Sequence, residues 1–298
     1  MNKYTSGFSI YTNTGIELVP ANSVVDKKLL LRLQKQRADR RMHQIGEDTD
    51  FIRDIDKVLE RDIYATILRE KESRDDLYSR IKLISIPYCE VETLEYFKEK
   101  DPYTYAHLLR VLCLSLYISS QLRSENNPGT TFLGSLSHDI GKCSIPLEIL
   151  QKETPLTQLE REQIEHHTIA GYVLLNYFTG VYNQPAAIIA RDHHETNNGN
   201  GYPIGRKRLD LNTKIVIVCD IYDALLSPRS YRKEVFDNRT ALEELTKKSL
   251  EGKISQNVVK VLIASNRKKK TVWQDCVISK EIRGVYPKEN NYGKTLAE

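Results

Sequence analysis

This sequence of 298 residues lacks the segments that are typical of membrane, secreted and repeat proteins. No apolar run reaches the roughly 18 residues that a membrane-spanning helix needs. Residues 1–15 lack the apolar core of a signal peptide, and the chain has neither an internal repeat nor a low-complexity segment. The net charge of +4 is too small to indicate binding to a nucleic-acid polymer. These absences predict a cytoplasmic protein that works without a membrane or a nucleic-acid polymer.

Cysteine is scarce, and none of the five cysteines forms a CxxC pair. Most of them lie in apolar stretches, which predicts reduced core thiols of the kind found in cytoplasmic proteins. They are Cys89, Cys113, Cys143, Cys219 and Cys276. With 40% hydrophobic and 28% charged residues, the composition indicates a globular protein.

Changes in local composition divide the chain into three predicted regions. Residues 7–20 alternate weakly and favour a short β-hairpin or small sheet. Residues 26–84 are charge-dense and typical of polar amphipathic helices. Together they belong to an N-terminal region, 1–90, of unknown role. A central domain, 91–270, shows strong helical periodicity, and residues 271–298 form a tail. The expected fold class is therefore mainly α, with a small N-terminal α+β region.

Six of the seven histidines fall in the central domain and give the strongest chemical signal. Neutral imidazole and carboxylate are the ligands that intermediate divalent metals prefer, and a structural zinc usually takes only about four ligands. The simplest interpretation is a site for two or more metal ions, which would suit phosphate chemistry. The candidate ligands are His107, His138, Asp139, His166, His167, His193, His194 and Asp220.

Helical spacing separates two adjacent histidines. His167 shares an apolar stripe with Gly171, Leu174 and Phe178, whereas His166 falls off that stripe. We therefore expect His167 to be the ligand and His166 to lie near the rim. Gly171, one turn after His167, would let another backbone segment come close.

Other polar residues near the histidines allow two interpretations each. Lys142 is either an exposed cation at a helix end or a contact for phosphate. Glu195 either orients a ligating imidazole or is a surface carboxylate in a loop. Asp220 lies in an apolar segment where a free charge would be expensive to bury, so we expect it to be a ligand. Asp223, one turn later, is expected to hold a helix or loop in place.

Six short motifs occur in order along the central region. They are HLLRV at 107–111, HDIGK at 138–142, HTIAG at 167–171, HHE at 193–195, GYP at 201–203 and DIYDALLSPRSYR at 220–232. Taken together over roughly residues 100–265, they resemble the HD-GYP family, a branch of the HD metallophosphohydrolase superfamily. The resemblance implies an all-helical core of about seven helices around two or three metals. It also implies hydrolysis of a cyclic dinucleotide, chiefly cyclic di-GMP, to linear pGpG and GMP.

The resemblance also implies roles for individual residues. One metal would be held by His107, His138 and Asp220. The other would be held by His167, His193 and His194. Asp139 would bridge the two metals, with hydroxide attacking the phosphorus in line beside them. Lys142 would lie near the scissile phosphate. The substrate would be held by Arg229, Arg232 and Tyr202.

The sequence departs from the family pattern at a few positions. Tyr103 stands where members with three metals carry a glutamate, so we expect two metals, with iron or manganese the favoured ions. Asn198 and Asn200 replace other residues around the GYP loop, and both tolerate turns. Ile254 and Ser255 replace a Phe-Asp pair, which indicates a change in packing.

Three functions remain open at this point. The leading one is a cyclic-dinucleotide phosphodiesterase. The others are a catalytically weak nucleotide sensor or protein-docking module, and a hydrolase of a hybrid cyclic dinucleotide. The expected partners are the cyclic dinucleotide itself and a protein that binds the GYP loop. The Lys-rich N-terminal helices are interpreted as solvated faces, with docking of a partner or a homodimer contact as the alternative.

Overall fold

The structure, a computed structural model, describes residues 4–37, 39–61, 64, 67–68, 70–122, 127–228, 234–267 and 271–287. Within these ranges the chain is mainly α-helical, as the sequence predicts. None of the described helices combines the length and apolar character needed to cross a membrane.

Short antiparallel strands open the N-terminal region. They are β1 (Tyr4–Thr5), β2 (Ile10–Tyr11), β3 (Glu17–Val19) and β4 (Val24–Val25). The predicted hairpin is formed by β2 and β3, while β1 pairs with β4. A third pairing joins β5 (Met42–Gln44) to β6 (Ser85–Pro87). The sequence did not predict this last pair, because its strands lie far apart and are only three residues long.

Among the described residues of the charge-dense segment, three helices have defined bounds. They are α1 (Lys27–Gln36), α2 (Thr49–Leu59) and α3 (Lys71–Lys82). The side chains of Asp26 and Asp48 cap the first two by accepting hydrogen bonds from backbone N–H groups. Each helix buries a narrow apolar face and exposes most of its charges, with Asp54 of α2 the buried exception, so these segments are amphipathic as predicted.

The remaining helices surround the histidines. They are α4 (Tyr88–Lys100), α5 (Pro102–Gln121), α6 (Pro128–Ser137), α7 (Leu147–Leu150), α8 (Gln158–Glu165), α9 (His167–Thr179), α10 (Pro185–Asp192), α11 (Leu211–Leu226), α12 (Asn238–Leu250) and α13 (Gln256–Ser265). Proline at the first helical position starts α5, α6 and α10. A capping box between Thr157 and Glu160 starts α8.

The hydrophobic core centres on α5 and α11, both of which are buried along most of their length. Helix α5 packs against α2, α4, α6 and α11, and α9 packs against α10 and the 3-10 turn Ile140–Ser144. Buried residues of the N-terminal region, such as Leu30 and Ile55, belong to the same continuous cluster. The domain boundary at residue 90 therefore stays a prediction, since the core runs across it.

The turn Ile140–Ser144 lies very close to α9. A Cβ atom on Gly141 would come within 2.0 Å of the His167 carbonyl oxygen, and one on Gly171 within 3.4 Å of the Gly141 nitrogen. Two glycines thus let the backbones of the HDIGK and HTIAG motifs touch, as expected for Gly171. This contact brings Asp139 towards His167.

The described part of the C-terminal segment, 271–287, lies against α12. The backbone N–H groups of Arg283 and Gly284 donate to the Glu243 carboxylate at 3.1 and 3.0 Å. The segment is therefore an extended appendage attached to the helical core.

Candidate metal centre

Five segments bring the predicted metal ligands together. His107 lies in α5 and Asp220 in α11, both near the middle of the core. The other ligands stand at helix ends, where neighbouring side chains can both turn inward. His138 and Asp139 follow α6, His167 begins α9, and His193 and His194 follow α10. All are buried except His194, which is half-buried.

The ligating atoms fall into two groups. His107, His138 and Asp220 form one group, here called the His107 group. Asp139, His167, His193 and His194 form the other, here called the His167 group. Within each group the ligating atoms lie within 4.8 Å of one another. Each group can therefore hold one ion.

Asp139 lies between the two groups and turns one oxygen towards each. Its Oδ1 atom is 3.2 Å from His167 Nε2 and 3.7 Å from His193 Nε2. Its Oδ2 atom is 3.6 Å from His107 Nε2 and 3.5 Å from His138 Nε2. This arrangement suits a carboxylate that bridges two cations, the role that the resemblance implies for Asp139.

Three imidazoles are oriented by backbone groups close to them in the chain. In each of them Nδ1 donates to a carbonyl oxygen three residues earlier, at 2.6–2.8 Å. The pairs are His138 with Ser135, His193 with Ala190, and His167, at the start of α9, with Ile164 of the preceding helix α8. Because a carbonyl oxygen only accepts, each Nδ1 carries the proton and each Nε2 presents a lone pair to the centre.

These lone pairs face each other at short distance, which tests whether the residues fit a metal. The Nε2 atoms of His167 and His193 are 3.1 Å apart. Burial lowers the pKa of His167 to about 3, so a proton between these two rings is disfavoured. Two acceptors cannot hydrogen-bond to each other, whereas a divalent cation would satisfy both. The donor set therefore fits metal ions.

His107 is held by a carboxylate in place of a backbone carbonyl. Its Nδ1 atom is 2.7 Å from Asp223 Oδ2. Asp223 also accepts two hydrogen bonds from Arg110, at 2.6 and 3.0 Å, and one from the Tyr64 hydroxyl. Burial acts to raise the pKa of Asp223, but Arg110 and His107 hold it well below its usual range. Asp223 is thus the anchor that the sequence predicted, and it fixes a ligand.

Tyr64 supports the His107 group through Asp223, and the sequence did not predict this contact. It belongs to the N-terminal region and is fully buried, yet its hydroxyl reaches Asp223, 159 residues later. Arg61 adds a second contact by donating to the Leu226 carbonyl oxygen at 3.1 Å. No local spacing in the sequence could signal these pairs, because they depend on how the N-terminal region packs against α11.

Lys142 lies at the edge of the metal centre. Its Nζ atom is 2.6 Å from Asp139 Oδ2, and its side chain is mostly buried. Burial acts to raise the pKa of the Asp139 carboxyl, but Lys142 and His138 hold it well below its usual range. Of the two interpretations of Lys142, an exposed helix-end cation does not fit this position.

The GYP loop is tied to the His167 group. The Tyr202 ring stacks on the His194 imidazole, with centroids 4.7 Å apart. Gly201 is required at this point, because a Cβ atom there would lie 2.5 Å from the His194 carbonyl oxygen. Neither interpretation of Glu195 is correct. It is buried, and its carboxylate accepts the backbone N–H groups of Ile204 and Arg206 at 2.8 and 2.9 Å, so it shapes the loop.

His166 lies outside both ligand groups, as its spacing indicates, and contacts the segment between β1 and β2. Its Nε2 atom is 2.9 Å from the Ser6 hydroxyl, and the Phe8 ring meets it edge-on at 5.6 Å. Burial lowers its pKa to about 4. The prediction that His166 lies near the rim is therefore incomplete, because the N-terminal segment covers this residue.

Tyr103 occupies the position where a third metal would need a carboxylate. Its ring is parallel to the His107 imidazole, at 6.3 Å between centroids. Among the described residues, metal-ligating side chains gather only in the His107 and His167 groups. Arg229 and Arg232, predicted to bind substrate, lie outside the described residues.

Comparisons with known proteins support a common family. A family model described as an HD domain matches residues 95–258. The cyclic di-GMP phosphodiesterase response regulator RpfG of Xanthomonas campestris is 30% identical over 193 residues, 64% of this chain and 48% of that protein. A cyclic di-GMP phosphodiesterase of Thermotoga maritima is 32% identical over 202 residues, 64% of this chain and 49% of that protein. The 3'3'-cGAMP-specific phosphodiesterase 1 of Vibrio cholerae is 31% identical over 136 residues, 45% of this chain and 31% of that protein.

The share of each protein that these matches cover determines whether they establish the family or the activity. The chain spans about half the length of the first two relatives, so their activities belong to longer proteins. The family match, in contrast, covers more than half of this chain and contains every ligand of both groups. The chain therefore belongs to the HD domain family, and the ordered motifs of its HD-GYP resemblance lie around one buried His/Asp centre.

Proposed function

We propose that the chain hydrolyses a phosphodiester bond of a cyclic dinucleotide, with cyclic di-GMP as the first substrate and linear pGpG as the first product. The observation that carries this proposal is Asp139, whose two oxygens face two separate groups of ligands while Lys142 stands beside it. Paired cations bridged in this way suit the transfer of a phosphoryl group to water. The printed names of the relatives support the same substrate class.

Two divalent ions, iron or manganese, would be held by the His107 and His167 groups, with Asp139 shared between them. When bound, such ions stabilise negative charge at phosphorus and make water acidic enough to supply hydroxide near neutral pH. The two carboxylates, Asp139 and Asp220, offset only half of the charge of two divalent ions. The remaining positive charge would attract a phosphodiester.

The chain's own residues would then orient the substrate. Lys142, whose Nζ atom lies 2.6 Å from Asp139 Oδ2, would donate to a phosphate oxygen held beside Asp139. Tyr202, which stacks on His194, would contact a base or ribose of the substrate. Arg229 and Arg232 remain proposed phosphate ligands. A protein partner at the GYP loop and a homodimer through the N-terminal helices also stay predictions.

The test is to incubate the full chain, loaded with iron or manganese, with cyclic di-GMP and to separate the products. We expect pGpG and two metal ions per chain. Absence of cleavage with both metals would contradict the proposal. If the nucleotide still bound, the alternative function as a nucleotide sensor would be favoured. Three tightly bound ions would contradict the argument from Tyr103.

Asp139→Asn is the most informative variant, because it keeps the shape of the side chain and removes its charge. We expect loss of at least one metal and a fall in activity of roughly 100-fold or more. Asp75→Asn, at an exposed position of α3, is the matched control and should leave both unchanged. An Asp139→Asn protein that keeps its metals and its rate would rule out the bridging role.

A hybrid cyclic dinucleotide is the second candidate substrate. One relative is named as specific for 3'3'-cGAMP. The ratio of kcat/KM for cyclic di-GMP and 3'3'-cGAMP, measured on the same preparation, decides between the two. We expect the ratio to favour cyclic di-GMP, and a reversed ratio would assign the hybrid substrate.

A further inference from the structure

A large cavity lies between the N-terminal region and the central helices. It has a volume of about 1200 Å³, somewhat above the range of roughly 300–1,000 Å³ common for ligand pockets. One wall is formed by β4 and α1, and the other by Tyr172 of α9, the following loop at Tyr182, Arg191 of α10, and Arg206. None of the seven predicted metal ligands lines it. The cavity is therefore separate from the metal centre.

Positive charge dominates the lining of this cavity. The basic lining residues are Lys27, Lys28, Arg32, Lys35, Arg191 and Arg206. Asp26 is the single acidic lining residue, and its carboxylate already caps α1 by accepting from the Leu29 N–H at 2.9 Å. Within the described part of the chain, the four cations of α1 form no ion pair with a carboxylate. A concave surface with uncompensated positive charge concentrates anions.

Aromatic rings supply a second kind of contact. Tyr4, Tyr172 and Tyr182 all line the cavity. The Arg191 guanidinium lies 5.0 Å from the centre of the Tyr172 ring and 5.7 Å from that of Tyr4, and Lys27 Nζ lies 5.3 Å from that of Tyr182. Tyrosine rings and guanidinium planes are the surfaces on which nucleobases stack. Charge and rings together favour a ligand with both a phosphate and an aromatic base.

We propose that this cavity binds a nucleotide. The cations of α1 hold its phosphate, and the partly exposed rings of Tyr4 and Tyr182 hold its base, with Tyr172 and Arg191 buried behind them. An acidic peptide would use the charge but not the aromatic rings, so a nucleotide fits the lining better. This site does not depend on the proposed phosphodiesterase activity, because it shares no residue with the metal centre.

The cavity is nevertheless connected to that centre through Asp192. Arg191 binds the Asp192 carboxylate with two hydrogen bonds, at 2.6 and 2.8 Å, and Arg206 Nε is 3.2 Å from it. Asp192 directly precedes His193 in the chain. A nucleotide in the cavity would contact Arg191 and Arg206 without touching a metal-ligating residue. This arrangement suits a bound molecule that is not the substrate.

The experiment is calorimetric titration of the metal-loaded full chain with GMP. Two fragments of GMP serve as comparison probes. Guanosine lacks the phosphate, and inorganic phosphate lacks the base. We expect GMP to bind with a Kd at least roughly tenfold below that of either fragment. Binding should survive removal of the metals with a chelator. No binding of GMP, binding of phosphate as tight as that of GMP, or loss of binding on chelation would overturn the proposal.

Charge reversal locates the site. Lys28 and Arg32 are exposed, so Lys28→Glu combined with Arg32→Glu should fold and should weaken GMP binding by roughly tenfold or more. The control combines Lys71→Glu with Lys247→Glu, two exposed positions outside the cavity that give the same change in net charge. Equal effects of the two pairs, or no effect of the first, would place GMP elsewhere.

Discussion

The His107 and His167 groups are similar in ligand chemistry but are held in different ways. His167 and His193 are oriented by backbone carbonyl oxygens three residues earlier in the chain. His107 depends on Asp223, which is 116 residues away and is shared with Arg110 and Tyr64. The rings of His167 and His193 are therefore oriented by local geometry, whereas one ligand of the His107 group, His107 itself, depends on long-range packing. We expect substitutions outside the ligands to affect the His107 group more strongly.

Removal of Asp223 should have the largest effect. Asp223→Ala leaves Arg110 buried without its carboxylate partner and frees the His107 ring, so we expect a loss of about 3–5 kcal/mol in the free energy of unfolding. It should also abolish metal binding at the His107 group while the His167 group keeps its ion. Chemical denaturation and a metal count per chain measure the two effects. Retention of both ions at full affinity would show that Asp223 does not hold the site.

Glu90, which lies near the His107 group, should make the free energy of unfolding depend on pH. Burial raises the pKa of this carboxyl to about 7, and its bonding partner Ser137 directly precedes His138. Because the folded-state pKa is above the ordinary value of 4.5, the folded state binds the proton more tightly. Stability should therefore fall as pH rises from about 4.5 through about 7, by about 3 kcal/mol.

Glu90→Gln tests this pH dependence, since it keeps a polar partner for Ser137 and cannot ionise. The variant should lose the fall in stability and should be more stable than the parent protein at pH 8. Denaturant titrations between pH 5 and pH 8 provide the measurement. An unchanged slope would assign the pH dependence to another group.

Tyr64→Phe should have the smallest effect and makes the sharpest comparison. It removes only the hydroxyl that bonds to Asp223, at a cost of about 1 kcal/mol in stability. We expect metal release from the His107 group to become up to roughly tenfold faster, with the His167 group unchanged. Release into a chelator, followed as two phases, separates the groups. Tyr105→Phe is the control, because that hydroxyl bonds to Asp54, outside the centre. Equal acceleration of both phases would remove the distinction between the groups.

Local patterns explain most of the correct predictions. Pro185 and the capping box at Thr157 are local signals that indicate a helix start, and each stands at the start of a helix in the structure. The stripe through His167 and Gly171 separated His167 from His166 because neighbouring residues on a helix face different directions. Glu195 was misjudged because its partners are backbone N–H groups of a loop, and backbone groups leave no pattern in a sequence.

By itself, the sequence determined the mainly helical fold class, the candidate ligands and their order along the chain. Those features depend on hydrophobic periodicity, capping and residue chemistry, which act over a few residues. Only the tertiary structure decided that Asp139 turns one oxygen to each group, that Tyr64 and Asp223 hold His107, and that α1 closes a basic cavity against α9 and α10. These arrangements join residues far apart in the chain. They follow from how the helices pack around one core, which no local spacing specifies.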